Sequence, residues 1–343
     1  MTVRAFITGL SGQEITADER AFLREAAPWG LILFKRNIED PDQVGRLTQE
    51  FRAITGRDAP VLVDQEGGRV QRLGPPHWPV YPPAAVFGRL YGLNRPHALA
   101  AASLGARLMA SDLRAVGIDV DCLPVADVPV AASDPVIGDR AYGYAPAQVS
   151  ALAAAAADGL LKGGVLPVLK HLPGHGRAAA DSHLTLPVVE TDRETLEATD
   201  FEAFRPLASL PLGMTAHVVF SAIDPVAPAT TSAIMVKDVI RGSIGFKGLL
   251  MSDDVSMKAL SGTLASRAGA AIAAGCDVVL HCNGNFAEMQ EVAGASPALT
   301  GEAARRADAA LALRIQPPSI DLGEARSRFS SMIGLAATGP AIA

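Results

Sequence analysis

A chain of 343 residues is long enough for one large barrel or two ordinary domains, and either would bury a sizeable core. Hydrophobic residues make up 49% of it and charged residues only 19%, with 32 glycines, which excludes a disordered or fibrous protein and implies a compact fold with many turns. The net charge of −6 argues against a nucleic-acid binder that works by neutralising phosphates.

The N-terminus has a brief apolar run but lacks the longer apolar segment and cleavage site of a secretory signal, so it reads as a first strand. The alanine-rich stretch at 151–166 is broken by Asp158 and Lys162 and is not a membrane span. A cytoplasmic protein is expected. Cys122, Cys276 and Cys282 lie in apolar runs without paired metal-ligand spacing, as buried reduced thiols would.

Apolar runs predict strands at Val3–Leu10, Gly30–Phe34, Pro60–Asp64, Ile118–Val125, Val165–Leu169, Leu212–Val219, Gly248–Met251 and Asp277–His281. Between most of them lie predicted helices: Ala17–Ala27, Pro41–Ile54, His97–Val116, Pro146–Lys162, Thr199–Ser209, Ser232–Ile240 and Leu264–Ala274. About eight alternating units favour a closed α/β barrel of the (β/α)8, TIM-type class over an open doubly wound sheet. No linker divides the chain, so residues 1–343 are read as a single domain, with a softer tail after Leu322. The proline-rich segment Gly74–Pro83 should form a rigid loop over one end of the barrel.

A barrel gathers its chemistry at the C-terminal ends of its strands. Polar residues fall there repeatedly: Asp64 with Glu66 and Arg69, then Asp127, Lys170 with His171, His217, Asp253 with Asp254, and His281. Arg140, in the loop IGDRAYG, could reach the same face. The densest stretch is KHLPGHGRAAADSH, Lys170 to His183, with six ionisable side chains and helix-breaking Pro173, Gly174 and Gly176. In an extended segment Asp181 and His183 share a face, where the carboxylate would orient the imidazole and raise its pKa towards neutrality. Of the adjacent aspartates, Asp254 is the better helix cap, leaving Asp253 to project into the barrel mouth. Lone histidines such as His217 and His281 are more often packed residues than catalysts.

Two chemistries fit these residues. In glycoside hydrolysis, Asp253 would attack an anomeric carbon and His183 would protonate the leaving oxygen. In a metal-dependent barrel hydrolase, His171, His175, His183, His217 and His281 would combine with Asp181 and Asp253 to hold an ion, although their spacing matches no ligand motif.

The motifs add a resemblance. KHLPGHGRAAADSH, VDQEGGRVQRL, IGDRAYG and LLMSDDVSM, in this order across roughly residues 30–285, resemble the family-3 glycoside hydrolases in their single-domain, NagZ-type β-N-acetylglucosaminidase branch of bacterial cell-wall recycling. The resemblance implies a TIM-type barrel and a retaining two-step mechanism, with Asp253 as nucleophile, His183 as acid then base and Asp181 as its dyad partner. It implies that Asp64, Arg72, Arg140, Lys170, His171 and His217 hold the sugar, that no cofactor or metal takes part, and that His175 shapes its loop. Lys170 and Arg140 would lie near Asp253 and keep it ionised. The implied substrate is an N-acetylglucosaminyl-β-1,4-anhydro-N-acetylmuramic acid fragment, with or without its peptide. A β-glucosidase or a phosphorylase of the same family remains an alternative. Leu172 departs from the phenylalanine frequent at its position, and an aromatic fraction of 5% suits a site for one terminal sugar. A small-molecule sugar is the expected partner, neither nucleic acid nor membrane is expected, and a monomer is expected.

Overall fold

The computed structural model describes residues 2–182 and 184–337. Among them, eight strands close into a barrel: β1 Arg4–Thr8, β2 Pro28–Leu33, β3 Val61–Val63, β4 Val120–Asp121, β5 Leu166–Leu172, β6 Leu212–Thr215, β7 Leu249–Asp254 and β8 Val278–His281. Each strand pairs in parallel with the next in sequence, and β8 pairs in parallel with β1 to close the ring, with Phe6 opposite Val279. The predicted (β/α)8 class is the observed one.

Strand periodicity sorts the apolar residues into two cores, because successive side chains point to opposite faces. Ile7, Leu62, Val168, Met251 and Leu280 belong to the group that fills the barrel interior. Their neighbours Phe6, Val61, Leu169, Leu250 and Val279 pack outward among the helices. Most of these helices begin with sequence-encoded start signals. Thr16 and Glu19 form a reciprocal capping box on α1 (Ala17–Ala26), and Asp40 caps α2 (Pro41–Thr55), which opens with proline.

Several boundaries differ from the predicted ones. β5 runs on to Leu172, so Lys170 and His171 lie within the strand and not at its exit, and the peptide between them is cis. The segment Thr199–Ser209 is not one helix. A short α-helix, Arg193–Ala198, precedes two 3-10 turns, Phe201–Ala203 and Arg205–Leu207, and Pro206 in the second denies the backbone donor a longer helix needs. The stretch predicted at Ser232–Ile240 is a π-helix at Met235–Ser243. Helices Ala84–Leu93, Phe286–Ala295 and Gly301–Leu311 go unpredicted. The tail after Leu322 is also helical, Leu322–Ala337, and buries Phe329 and Met332 against the barrel's helical layer. All three cysteines are buried and unpaired, as expected.

Candidate active site

Along four of the strands the inward column continues past the packed interior to one cavity, and in three of them it ends in a charged group. Two residues beyond Leu62 stands Asp64, two beyond Val168 stands Lys170, two beyond Met251 stands Asp253, and two beyond Leu280 stands Cys282. All four line one cavity of about 520 Å³ at the C-terminal end of the barrel, inside the range of about 300–1,000 Å³ usual for small-molecule sites. Arg72, Arg140, His171 and Asp181 line it too, so eight of the nine predicted site residues can be assessed and seven of those eight face this space. The ninth, His183, lies outside the described residues.

One wall is an ion network. Lys170, with 3% of its side chain exposed, places Nζ 3.0 Å from Asp64 Oδ1 and 2.7 Å from Glu66 Oε1. Arg72 donates to Asp64 Oδ2 (2.9 Å) with its guanidinium over the Phe34 ring, and Arg140 donates twice to Glu66, at 2.8 Å each. Burial pushes both carboxyl groups up, but the cations outweigh it. Lys170 and Arg72 hold Asp64 well below the usual carboxylate range, and Arg140 and Lys170 bring Glu66 down to about 2. The same pairing overcomes burial at Lys170 and raises its pKa, so the ammonium stays charged.

Asp253 sits at the end of β7, held by its backbone. Its N–H donates to Thr215 Oγ1 (3.3 Å), and its Oδ1 accepts from the Asp254 N–H (2.8 Å). The sequence expectation that Asp254 caps the following helix is not met. Asp254 is still strand, its carboxylate accepts from Ser256 and from the Cys282 N–H, and the next helix is capped by Thr263. Lys170 and Arg140 are ion-paired with Asp64 and Glu66 and line the same cavity as Asp253.

The loop after β5 is gripped from below by Asp127. This fully buried carboxylate accepts from His171 Nδ1 (2.7 Å) and from the His175 N–H (2.7 Å), which fixes the His171 tautomer and turns its Nε2 edge away from Asp127. Burial opposes ionisation of Asp127, but His171 and the other donors lower its pKa below the ordinary value. His175 is buried and lies 3.0 Å from Ser182 Oγ, tying the loop's start to the turn that carries Asp181. Burial, with His171 alongside, lowers the His175 pKa to about 4, so this ring is neutral. Gly176 passes so close to Val128 that a Cβ there would lie 2.2 Å from its carbonyl oxygen, and Arg177 anchors the far side on Asp200 (2.6 Å).

His217 is placed apart from the other candidates. It is fully buried outside the cavity, with Nε2 donating to the Asp254 carbonyl (2.9 Å) and Nδ1 2.7 Å from Thr230 Oγ1. Both ring nitrogens are therefore engaged by protein, and His217 buttresses the strand end that carries Asp253. His281 follows inward-facing Leu280 by one residue, is buried, and bonds Glu288 (3.2 Å). Among the described residues no group of three or more His, Cys, Asp and Glu side chains is arranged to hold a metal ion. The sequence places Glu66 and Asp127 at strand ends facing the barrel mouth, but neither is among the nine predicted site residues. For Glu66 the usable signal was strand parity, since it follows Asp64 by two.

Comparison with known proteins agrees with this geometry. The family model described as glycosyl hydrolase family 3 N terminal domain matches residues 3–313. Among curated relatives, the beta-hexosaminidase of Alkalilimnicola ehrlichii is 41% identical over 287 residues, 82% of each chain, and that of Methylococcus capsulatus is 43% identical over 278 residues, 80% of this chain and 81% of the relative. NagZ from Neisseria gonorrhoeae, solved in complex with N-trifluoroacetyl-D-glucosamine, superposes with a TM-score of 0.84 at 32% identity over 98% of both chains. With its barrel, its cavity and four ordered motifs all falling within the matched span, the chain belongs to glycosyl hydrolase family 3.

Proposed function

We propose that this β-N-acetylhexosaminidase removes a single terminal N-acetylglucosamine from soluble peptidoglycan fragments, with retention of configuration, during cell-wall recycling in the cytoplasm. Asp253 attacks the anomeric carbon and forms a covalent glycosyl-enzyme, while His183, oriented by Asp181, gives its proton to the departing oxygen. The imidazole then takes a proton from water, whose oxygen displaces Asp253 and releases the sugar. Asp64, Arg72, Lys170 and His171 hold the hydroxyls and the N-acetyl group, and Arg140 acts through Glu66. The protein works as a monomer.

The observation that carries this reading is the placement of Asp253, at a rigid strand end, and Asp181, on the loop after β5, on one cavity ringed by charged hydrogen-bonding groups. Its volume suits one sugar better than a long glycan. Among the described residues no helix is long and apolar enough to cross a membrane. The decisive assay is fluorophore release from an aryl N-acetyl-β-glucosaminide beside the matching β-glucoside, with and without a strong chelator. Chelator-insensitive cleavage of the first alone is expected. Cleavage of the glucoside, or activity lost to the chelator and restored by zinc, would sink the assignment, and formation of sugar 1-phosphate in phosphate buffer would replace hydrolysis by phosphorolysis.

A further inference from the structure

The helix Leu322–Ala337 lies beyond the span matched by the family model, yet it is wired to the loop that carries Asp64, Glu66 and Arg72. Arg326 donates to Asp112 Oδ1 at 2.6 Å and reaches the Tyr81 hydroxyl at 3.4 Å, and that hydroxyl donates to Asp112 Oδ2 at 2.6 Å. Phe329, from the same helix, packs against the Tyr81 ring with centroids 6.3 Å apart. Tyr81 is 2% exposed, and its backbone grips the turn and the second arm of the small hairpin formed by Gln65–Gly67 and Val70–Gln71. Its carbonyl accepts from the Gly68 N–H (2.8 Å), and its N–H donates to Gln71 Oε1 (2.9 Å).

There is no slack in this chain of contacts. A Cβ on Gly67 would lie 2.4 Å from the Pro82 carbonyl oxygen, and the segment from Pro79 through Pro82 and Pro83 has few backbone torsions free to absorb a shift. Movement of Tyr81 therefore passes to the hairpin and from it to the carboxylates that hold Lys170 and Arg140.

We propose that the C-terminal helix is a positioning element for the sugar-holding loop, and that Arg326 and Tyr81 transmit its hold. The proposal rests on the sugar-binding role assigned above to that loop. Arg326 and Tyr81 are positioning residues, since neither lines the cavity.

The test compares Arg326→Ala, Arg326→Lys and Tyr81→Phe with the parent enzyme, measuring KM, kcat, inhibition by free N-acetylglucosamine and the thermal midpoint. Arg326→Ala and Tyr81→Phe are expected to raise KM and the inhibition constant together, within about two- to thirtyfold, with a smaller change in kcat and partial rescue in Arg326→Lys. A lowered thermal midpoint at parental KM would make the helix a stability prop only and overturn the proposal, as would loss of kcat at parental KM. Should Arg326→Ala fail to fold, Tyr81→Phe, which removes one hydroxyl and keeps the ring, decides the matter by the same criteria. A parent enzyme that cleaves no N-acetylglucosaminide would instead defeat the functional reading on which the proposal stands.

Discussion

Replacing Glu66 by glutamine should damage both stability and activity, although the change is nearly isosteric. Glu66 takes three charge-assisted contacts, two from Arg140 at 2.8 Å and one from Lys170 at 2.7 Å, with 4% of its own side chain exposed. The wall holds three cations, Lys170, Arg72 and Arg140, against two carboxylates, Asp64 and Glu66, so neutralising Glu66 raises its net charge from +1 to +2. The glutamine amide would also point N–H groups at donors that cannot accept them. Breaking a buried pair by removing one partner costs about 3–5 kcal/mol, far more than a surface bridge, because the remaining charge stays desolvated. Displacing Lys170 and Arg140 by about 1 Å should also lower kcat/KM by on the order of a hundredfold. Urea unfolding at neutral pH, with the denaturant slope checked for constancy, measures the first effect, and an aryl N-acetylglucosaminide measures the second. A Glu66→Gln variant within about 1 kcal/mol of the parent and with parental kcat/KM would refute the view that this network organises the site.

Asp253→Ala should abolish turnover of all substrates, whereas His183→Ala should spare aryl glycosides with good leaving groups more than natural disaccharides; equal losses across leaving groups would undo the assigned roles. His217→Ala should lower stability by about 1–3 kcal/mol by removing two buried hydrogen bonds, to the Asp254 carbonyl and to Thr230 Oγ1, and should reduce kcat more than it raises KM; a large rise in KM alone would restore His217 as a sugar contact. His175 gives a pH signature. Its folded pKa of about 4 lies below the unfolded value near 6.5, so the unfolded chain takes up the proton first as pH falls, and stability is lost between these two values. That loss amounts to about 3 kcal/mol at most. A His175→Gln variant should lose less stability than the parent between neutral pH and pH 4 in urea titrations, and parallel losses would contradict the assignment.

The fold was legible because the strands are short apolar runs whose starts are marked by glycine, proline or a polar turn, and seven inter-strand stretches already suggested helices. The ends were harder. β5 reads as apolar only to Leu169, yet pairing carries it through Lys170 and His171, whose polar groups are met by Asp64, Glu66 and Asp127 from other segments. No local property of the sequence shows those partners. The helix Leu322–Ala337 was missed because its serines and glycines weaken the periodic signal, and its helical state draws on contacts made by Phe329 and Arg326. Motifs and strand ends supplied the candidate residues, and seven of the eight that can be assessed line one cavity. What these could not separate was an inward polar residue such as Glu66 from a buttress such as His217, whose partners Thr230 and the Asp254 carbonyl lie elsewhere in the chain.

The shared phase of packing residues and charged groups along three of the strands bears on how this protein can change. Because Leu62 and Asp64, Val168 and Lys170, and Met251 and Asp253 lie on one face of their strands, deleting or inserting a single residue within a strand would turn the cavity-lining charged group outward together with the packing residue beneath it. Length variation in descendants should therefore be confined to connections away from the cavity, such as the exposed turn around Val226, while strand lengths stay fixed even where side chains drift.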